Sequence, residues 1–205
     1  MESKESAIWP PFEAFYIQSM LFNSVSATQS IARLENIFST LPIQVTQEDI
    51  TKLPVKSVLN ELQNIVLQSA SLSRYFWPIR KGHEARGKRL RDSFSMTDAS
   101  PLFNRDLRNA LEHFDERLDK YLSGGVVGYV RPEFVGTKPE IDGIPGHFFR
   151  AYFLDTGEFR LLDEEFNIKP LADELLFVHR HLSILDKNGG MLRDAVRHIE
   201  ECGDN

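Results

Sequence analysis

Apolar residues recur every three or four positions from about Phe12 to Phe38, where Phe15, Met20, Leu21, Val25, Ile31, Leu34 and Ile37 run as a stripe among Gln, Ser and Asn. That spacing is the period of an amphipathic α-helix. A helix of this length must lay its stripe against other elements, so the chain is directed towards folds made by packing helices. The other side of the segment carries Gln18, Ser19, Asn23, Ser24, Ser26, Thr28, Gln29 and Ser30. It is polar and nearly free of charge, a composition that suits contact with another polar helix face or a second copy better than open water.

The rest of the chain continues the pattern. Val58, Leu62, Ile65, Val66 and Leu72 predict a second helix over Val55 to Ser73, after a break made by Leu41, Pro42 and Thr46 to Pro54. Pro78 and Gly82 interrupt regular structure, so Tyr75, Phe76 and Trp77 are expected to anchor a loop on the core, with a short helix from Glu84 to Phe94 after it. A third long helix is expected from Pro101, with Ser100 as N-cap, to the Gly124-Gly125 pair. Its apolar positions are Phe103, Leu107, Ala110, Leu111, Phe114, Leu118, Tyr121 and Leu122. Gly124 to Gly146 reads as a long connection with a short strand near Val126 to Val130. His147 to Leu154 and Phe159 to Leu162 then flank the turn Asp155-Thr156-Gly157-Glu158 as a hairpin. A fourth helix follows from Ile168 to Asp186 and a short fifth from Met191 to Glu201. The expected fold is mainly α: one domain over 1–205, a bundle of four to five helices, with 124–165 as a loop and β-hairpin insertion between the third and fourth long helices.

Composition narrows the functional classes. The chain has 205 residues, 41% of them hydrophobic, and 15 Phe, enough for a substantial core. Cys202 is the one cysteine, which excludes an intramolecular disulfide and a cysteine-based zinc site. The start MESKESAIWPPFEAF lacks a basic segment followed by an apolar run, and no stretch approaches the roughly 20 apolar residues of a membrane span, so a cytoplasmic protein with no membrane partner is expected. The net charge of -6 argues against general coating of nucleic acid. Arg74 to Arg91, however, holds Arg74, Arg80, Lys81, Arg86, Lys88, Arg89 and Arg91 against the single acid Glu84, a local cationic patch of the kind that binds phosphate. A solvated helix start paired with acids elsewhere accounts for the same charges.

The stretch LRNALEHFDE, Leu107 to Glu116, concentrates the remaining chemistry. On a continuous helix, Asn109 and His113 are i,i+4 neighbours, as are Arg108 and Glu112, all off the apolar stripe. His113 can exchange a proton near neutral pH and Arg108 is a permanent cation suited to phosphate. Together they could serve one phosphodiester without a metal, with Asn109 holding the ring or a phosphate oxygen. Arg108 and His113 diverge by roughly 140° around such a helix, too far for one chain to grip a small substrate. An isologous dimer built on this face would bring each Arg108 to the partner's His113. Taken singly, the same residues are ordinary solvated charge pairs.

This stretch resembles the mark of the HEPN domains: an Arg followed by a polar residue, further positions and a His, within a small helical bundle. Here it reads Arg108-Asn109-Ala110-Leu111-Glu112-His113. The resemblance covers about Phe12 to Leu122 and Leu171 to Asp186 and leaves the hairpin outside. It implies a metal-independent endoribonuclease with a composite site at a homodimer interface, and duty in bacterial toxin-antitoxin, abortive-infection or CRISPR-linked defence. Arg108 and His113 would be catalytic and Asn109 a polar modulator. The partners are then RNA, a second copy and an antitoxin protein, and no cofactor is called for. Arg86, Lys88, Arg89, Arg91 and Arg105 are the candidate nucleic-acid contacts.

Other constellations are weaker. His179 and His181 stand at i and i+2, on different sides of a helix, and His113 with Glu116 gives one imidazole and one carboxylate, too few for a metal pair. Gly124 to Gly128 lacks the Lys and Ser/Thr of a nucleotide loop. Two rival readings of the main motif stay open: a HEPN-like module that binds RNA, nucleotide or protein without cutting, and a purely assembling role in which Arg108 and His113 hold a dimer together.

Overall fold

The computed structural model describes residues 8–139 and 146–193. The fold is mainly α. In chain order its elements are α1 (Pro10–Ser39), α2 (Gln47–Thr51), α3 (Val55–Phe76), α4 (Glu84–Phe94), α5 (Asp106–Glu112), α6 (Phe114–Ser123), β1 (Tyr129–Gly136), β2 (Gly146–Phe153), β3 (Glu158–Leu161), β4 (Glu164–Asn167) and α7 (Lys169–Lys187). They gather into two compact units of discontinuous sequence, one ending its first segment at Thr28 and adding Gln68–Asn104 and the chain from Asp173, the other made of Gln29–Leu67 and Arg105–Ala172. The helices α1, α3 and α7 therefore each supply residues to both units.

In the first unit the stripe residues Ile17 and Met20, with Leu72, Phe76, Leu90, Phe94, Leu175, Val178 and Leu182, are almost wholly buried. The rings of Phe76 and Phe94 meet edge to face at 5.2 Å. Helix α4 comes so near the chain leaving α3 that a Cβ on Gly87 would stand 2.5 Å from Pro78 Cδ and 2.7 Å from the Phe76 carbonyl oxygen. A hydrogen at this position is what permits the approach. Arg91 donates to that same Phe76 carbonyl and lies over the Trp77 ring, while Trp77 Nε1 donates to Asp98 at 2.8 Å. Of the three aromatics, Tyr75 and Phe76 belong to α3, which continues through Phe76, and the buried Trp77 follows it and anchors the connection as expected.

The uncharged face of α1 finds its partners within the chain. In the first unit Gln18 donates to Asp186, Ser19 shares a hydrogen bond of 2.5 Å with Tyr75, and the buried Ser24 meets His179 at 3.0 Å. In the second, Ser30 donates to Glu61 at 2.5 Å and accepts from Asn64 at 2.8 Å. Buried hydroxyls that are satisfied in this way cost little and hold the helix in one rotation.

The second unit carries the sheet, of order β1-β2-β3-β4, with β1 parallel to β2 and the later pairs antiparallel. Phe148, Ala151 and Phe153 of β2 form its buried cluster, with Tyr129 and Phe134 packed against them. The expected hairpin is its middle pair, and Gly157 takes a φ of +69° at the turn. Lys138, after β1, bridges Glu158 at 3.0 Å and Glu165 at 2.7 Å.

Four expectations need correction. The hairpin is part of a four-stranded sheet, because β1, lying within the Gly-rich connection, pairs with β2 from Tyr129↔Gly146 to Gly136↔Phe153, and β4 pairs with β3. Thr46 to Thr51 is no plain break: the Thr46 hydroxyl accepts from the Asp49 N–H, the Asp49 carboxylate accepts from the Thr46 N–H, and this capping box starts α2. The third long helix is not continuous. Pro101 to Phe103 is a turn, closed by Phe103 N–H to the Ser100 carbonyl at 2.9 Å, and the helical run after it is divided at His113 into α5 and α6. Of the expected fifth helix, 191–193 are not helical and 194–201 lie outside the described residues.

Two predictions follow from the first unit. Gly87→Ala should destabilise the protein by about 1–3 kcal/mol in urea unfolding, because the new methyl must displace backbone rather than a flexible side-chain end. His179 and His181, the latter 4.5 Å from the Phe94 ring, are held by burial below the ordinary imidazole pKa of 6.5. Their unfolded forms bind protons more readily, so the stability they contribute is full above about pH 6.5 and falls as pH drops below it. Urea midpoints at pH 7.5 and 5.5 should therefore differ more for the wild type than for His181→Leu.

Candidate functional site

The candidate residues separate between the two units: Arg86, Lys88, Arg89 and Arg91 on α4 lie in the first, and Arg105, Arg108, Asn109 and His113 in the second. The α4 cations are largely engaged. Lys88 pairs with Asp92 at 2.6 Å; Arg89 donates to the Leu192 carbonyl at 2.8 Å and lies 3.6 Å from the buried Glu13; Arg91 holds the Phe76 carbonyl. Arg86 donates to the Arg74 carbonyl at 3.1 Å.

Arg105 stands at the N-cap position of α5. One turn on, the structure brings Arg108, Asn109 and Glu112 together. Arg108 Nη2 and Nε reach the Asn109 side-chain oxygen at 3.0 and 3.3 Å, and Nε is 3.6 Å from Glu112. The Arg108 side chain is only 11% exposed, and its Nη1 is buried without a hydrogen-bond partner among the described residues. One donor of a fixed cation is thus left unspent in a shielded place, where an added acceptor is worth most.

His113 is held differently. Its φ of -111° and ψ of 32° leave the helical region, ending α5 and beginning α6. The ladder still runs past it, with His113 N–H to the Asn109 carbonyl at 3.1 Å and Arg117 N–H to the His113 carbonyl at 3.0 Å. Its imidazole is 58% exposed, and Nδ1 is 3.7 Å from the Glu116 carboxylate. Asn109 therefore meets Arg108 through its side chain and His113 only through its backbone.

The sheet fixes this break from below. Arg150 of β2 lies with its guanidinium 3.9 Å from the centre of the Phe114 ring, Arg117 pairs with Glu164 of β4, and Tyr121 hydrogen-bonds His147 of β2. Arg150 is the residue that sequence reasoning missed. Burial lowers its pKa, and its Nε is buried and unpartnered among the described residues. Within GHFFRAYF it stands between buried apolar positions of β2, a polar interruption that flags it; its seat on the residue after His113 needed the tertiary fold.

Among the described residues no three His, Cys, Asp or Glu side chains gather as a metal site would need, and no helix is long and apolar enough to cross a membrane. Comparison with family models, curated proteins and solved structures finds no match for the chain.

The two main residues should behave differently in unfolding experiments. Arg108→Ala removes a covered side chain and orphans its neighbours, at a cost of about 1–2 kcal/mol, whereas His113→Ala should stay within about 0.5 kcal/mol of wild type. Equal losses would show that His113 also carries packing.

Proposed function

We propose that the protein is a metal-independent endoribonuclease of HEPN type, acting as a homodimer joined through the α5 and α6 region, in a toxin or defence setting with an antitoxin protein as its counterpart. The observation that carries this is the pairing, within Arg108 to His113, of a shielded guanidinium with an unspent donor and a solvent-facing imidazole at a helix break. The two side chains have separate partners within one chain, which fits a cleft completed by a second copy.

In this reading the substrate is RNA. The ribose 2'-hydroxyl loses its proton to neutral His113 and its oxygen attacks the adjacent phosphorus. Alternatively, solvent takes the 2'-hydroxyl proton and a protonated His113 gives its own to the departing 5'-oxygen; in the first route solvent supplies that proton. The P–O5' bond breaks, leaving a 2',3'-cyclic phosphate on one product and a 5'-hydroxyl on the other. Arg108 offsets the negative charge that builds on the equatorial oxygens, and Asn109 holds the Arg108 fork. A second reading, an RNA- or protein-binding module that does not cut, is favoured by one fact: Arg108 is mostly covered and already held by Asn109 and Glu112.

Purified full chain incubated with RNA in EDTA should give fragments ending in 2',3'-cyclic phosphate, and His113→Ala should slow this by about 10²–10⁴-fold. Cleavage unchanged in the His113 variant contradicts the catalytic reading. Binding of RNA with no cleavage by wild type selects the second.

A further inference from the structure

The first unit holds an open cleft of about 350 Å³ lined by Arg74, Pro78, Ile79, Arg80, His83 and Arg86. Four of its six lining residues are Arg or His and none is an acid. That is unusual on a chain whose net charge is -6. Three further cations of the Arg74 to Arg91 segment are placed elsewhere: Lys88 and Arg89 are set against the carboxylates of Asp92 and Glu13, and Arg91 is spent on the Phe76 carbonyl and the Trp77 ring.

Arg86 is the organised member. Its guanidinium lies 5.7 Å from the Tyr16 ring centre and 5.8 Å from that of Tyr75, two rings set edge to face. The Tyr75 hydroxyl is fixed in turn by Ser19 at 2.5 Å. One Arg86 donor goes to the Arg74 carbonyl, and its Nε is buried with no partner among the described residues. Aromatic support and a single neutral acceptor orient the fork without cancelling its charge. Pro78 and the exposed Ile79 add an apolar wall beside the charged one.

We infer that this cleft binds the terminal phosphate of a phosphomonoester, with the arginines on the phosphate and the body of the ligand lying along Pro78 and Ile79. A monoester dianion suits several guanidiniums better than a diester does, since it carries more charge and one more unsubstituted oxygen. The volume lies at the lower end of the range for small-molecule sites, enough for the phosphate and its adjoining group. The phosphate can belong to a free small molecule or to the end of an RNA chain. The site stands apart from the Arg108 and His113 reading and does not depend on it.

The test is calorimetric titration of the full chain at low salt with five probes: inorganic phosphate, adenosine, adenosine 5'-monophosphate, and one short oligoribonucleotide with either a 5'-phosphate or a 5'-hydroxyl. Its 2'-O-methylated form prevents cleavage, so binding is read separately from catalysis. The terminal phosphate should tighten binding at least tenfold, either for the mononucleotide over adenosine or for the phosphorylated oligomer over the hydroxyl form. A gain confined to the mononucleotide identifies a small-molecule site; a gain with the oligomer identifies an RNA end. Arg86→Gln and, separately, the exposed-rim change Arg80→Gln should each remove most of that gain, the second without disturbing the tyrosine support. No gain from the phosphate with any probe, or a gain that survives Arg80→Gln and Arg86→Gln together in a protein of wild-type circular dichroism, overturns the inference.

Discussion

The backbone at His113 is the constraint on which the placement of Arg108 and His113 in the second unit depends. A helix that kept its course from α5 into α6 would carry Arg108 and His113 on one rigid rod. Instead His113 leaves helical dihedrals while the hydrogen bonds on either side of it persist. The contacts beyond the break explain what holds it: Arg150 on the Phe114 ring, Arg117 with Glu164, and Tyr121 with His147 tie three successive turns of α6 to β2 and β4. Helical propensity alone favours continuing, so tertiary packing on the sheet sets the direction of α6. The consequence is an exposed imidazole directly after a turn whose guanidinium is covered.

In the first unit the corresponding constraint is the near contact of Gly87 with the Phe76 to Pro78 segment. It lets α4 settle onto the end of α3, buries Phe94 against Phe76, and places Arg91 on a carbonyl that the end of α3 leaves open. The same approach puts Arg86 between Tyr16 and Tyr75. A cationic run that reads in one dimension as a single patch is thus sorted by packing into paired cations and a cleft-lining group.

Much of the helical framework was legible because long 3.6-residue periodicity leaves few alternatives. The bounds of α4 agree with expectation, and those of α1 and α7 agree within about two residues, at ends marked by Pro10 and by Lys187 before Gly189 and Gly190. The short α2 was legible in principle through Thr46 and Asp49, three apart, but it was hidden by the Pro residues around it. The division of the third helix was not legible, since Phe103, Leu107, Ala110 and Phe114 keep their spacing across a break that only Arg150 and the sheet explain. Nor was β1: its parallel pairing with β2 depends on residues seventeen positions away, which a local pattern does not encode. At the candidate site the residue types were visible in LRNALEHFDE, whereas the covering of Arg108 and the exposure of His113 were not. Helical spacing puts both off the apolar stripe without saying which of them the fold covers.

In the proposed ribonuclease, Arg108 and His113 act from two copies on one phosphodiester. Mixing the two inactive single variants, Arg108→Gln and His113→Ala, and letting subunits exchange tests it most directly. If each site takes its Arg108 from one copy and its His113 from the other, a mixed dimer holds one site with both changes and one site intact, and RNA cleavage should return to between about a quarter and a half of the wild-type rate per dimer. A mixture in which subunits demonstrably exchange, yet which stays as inactive as either variant alone, would contradict it.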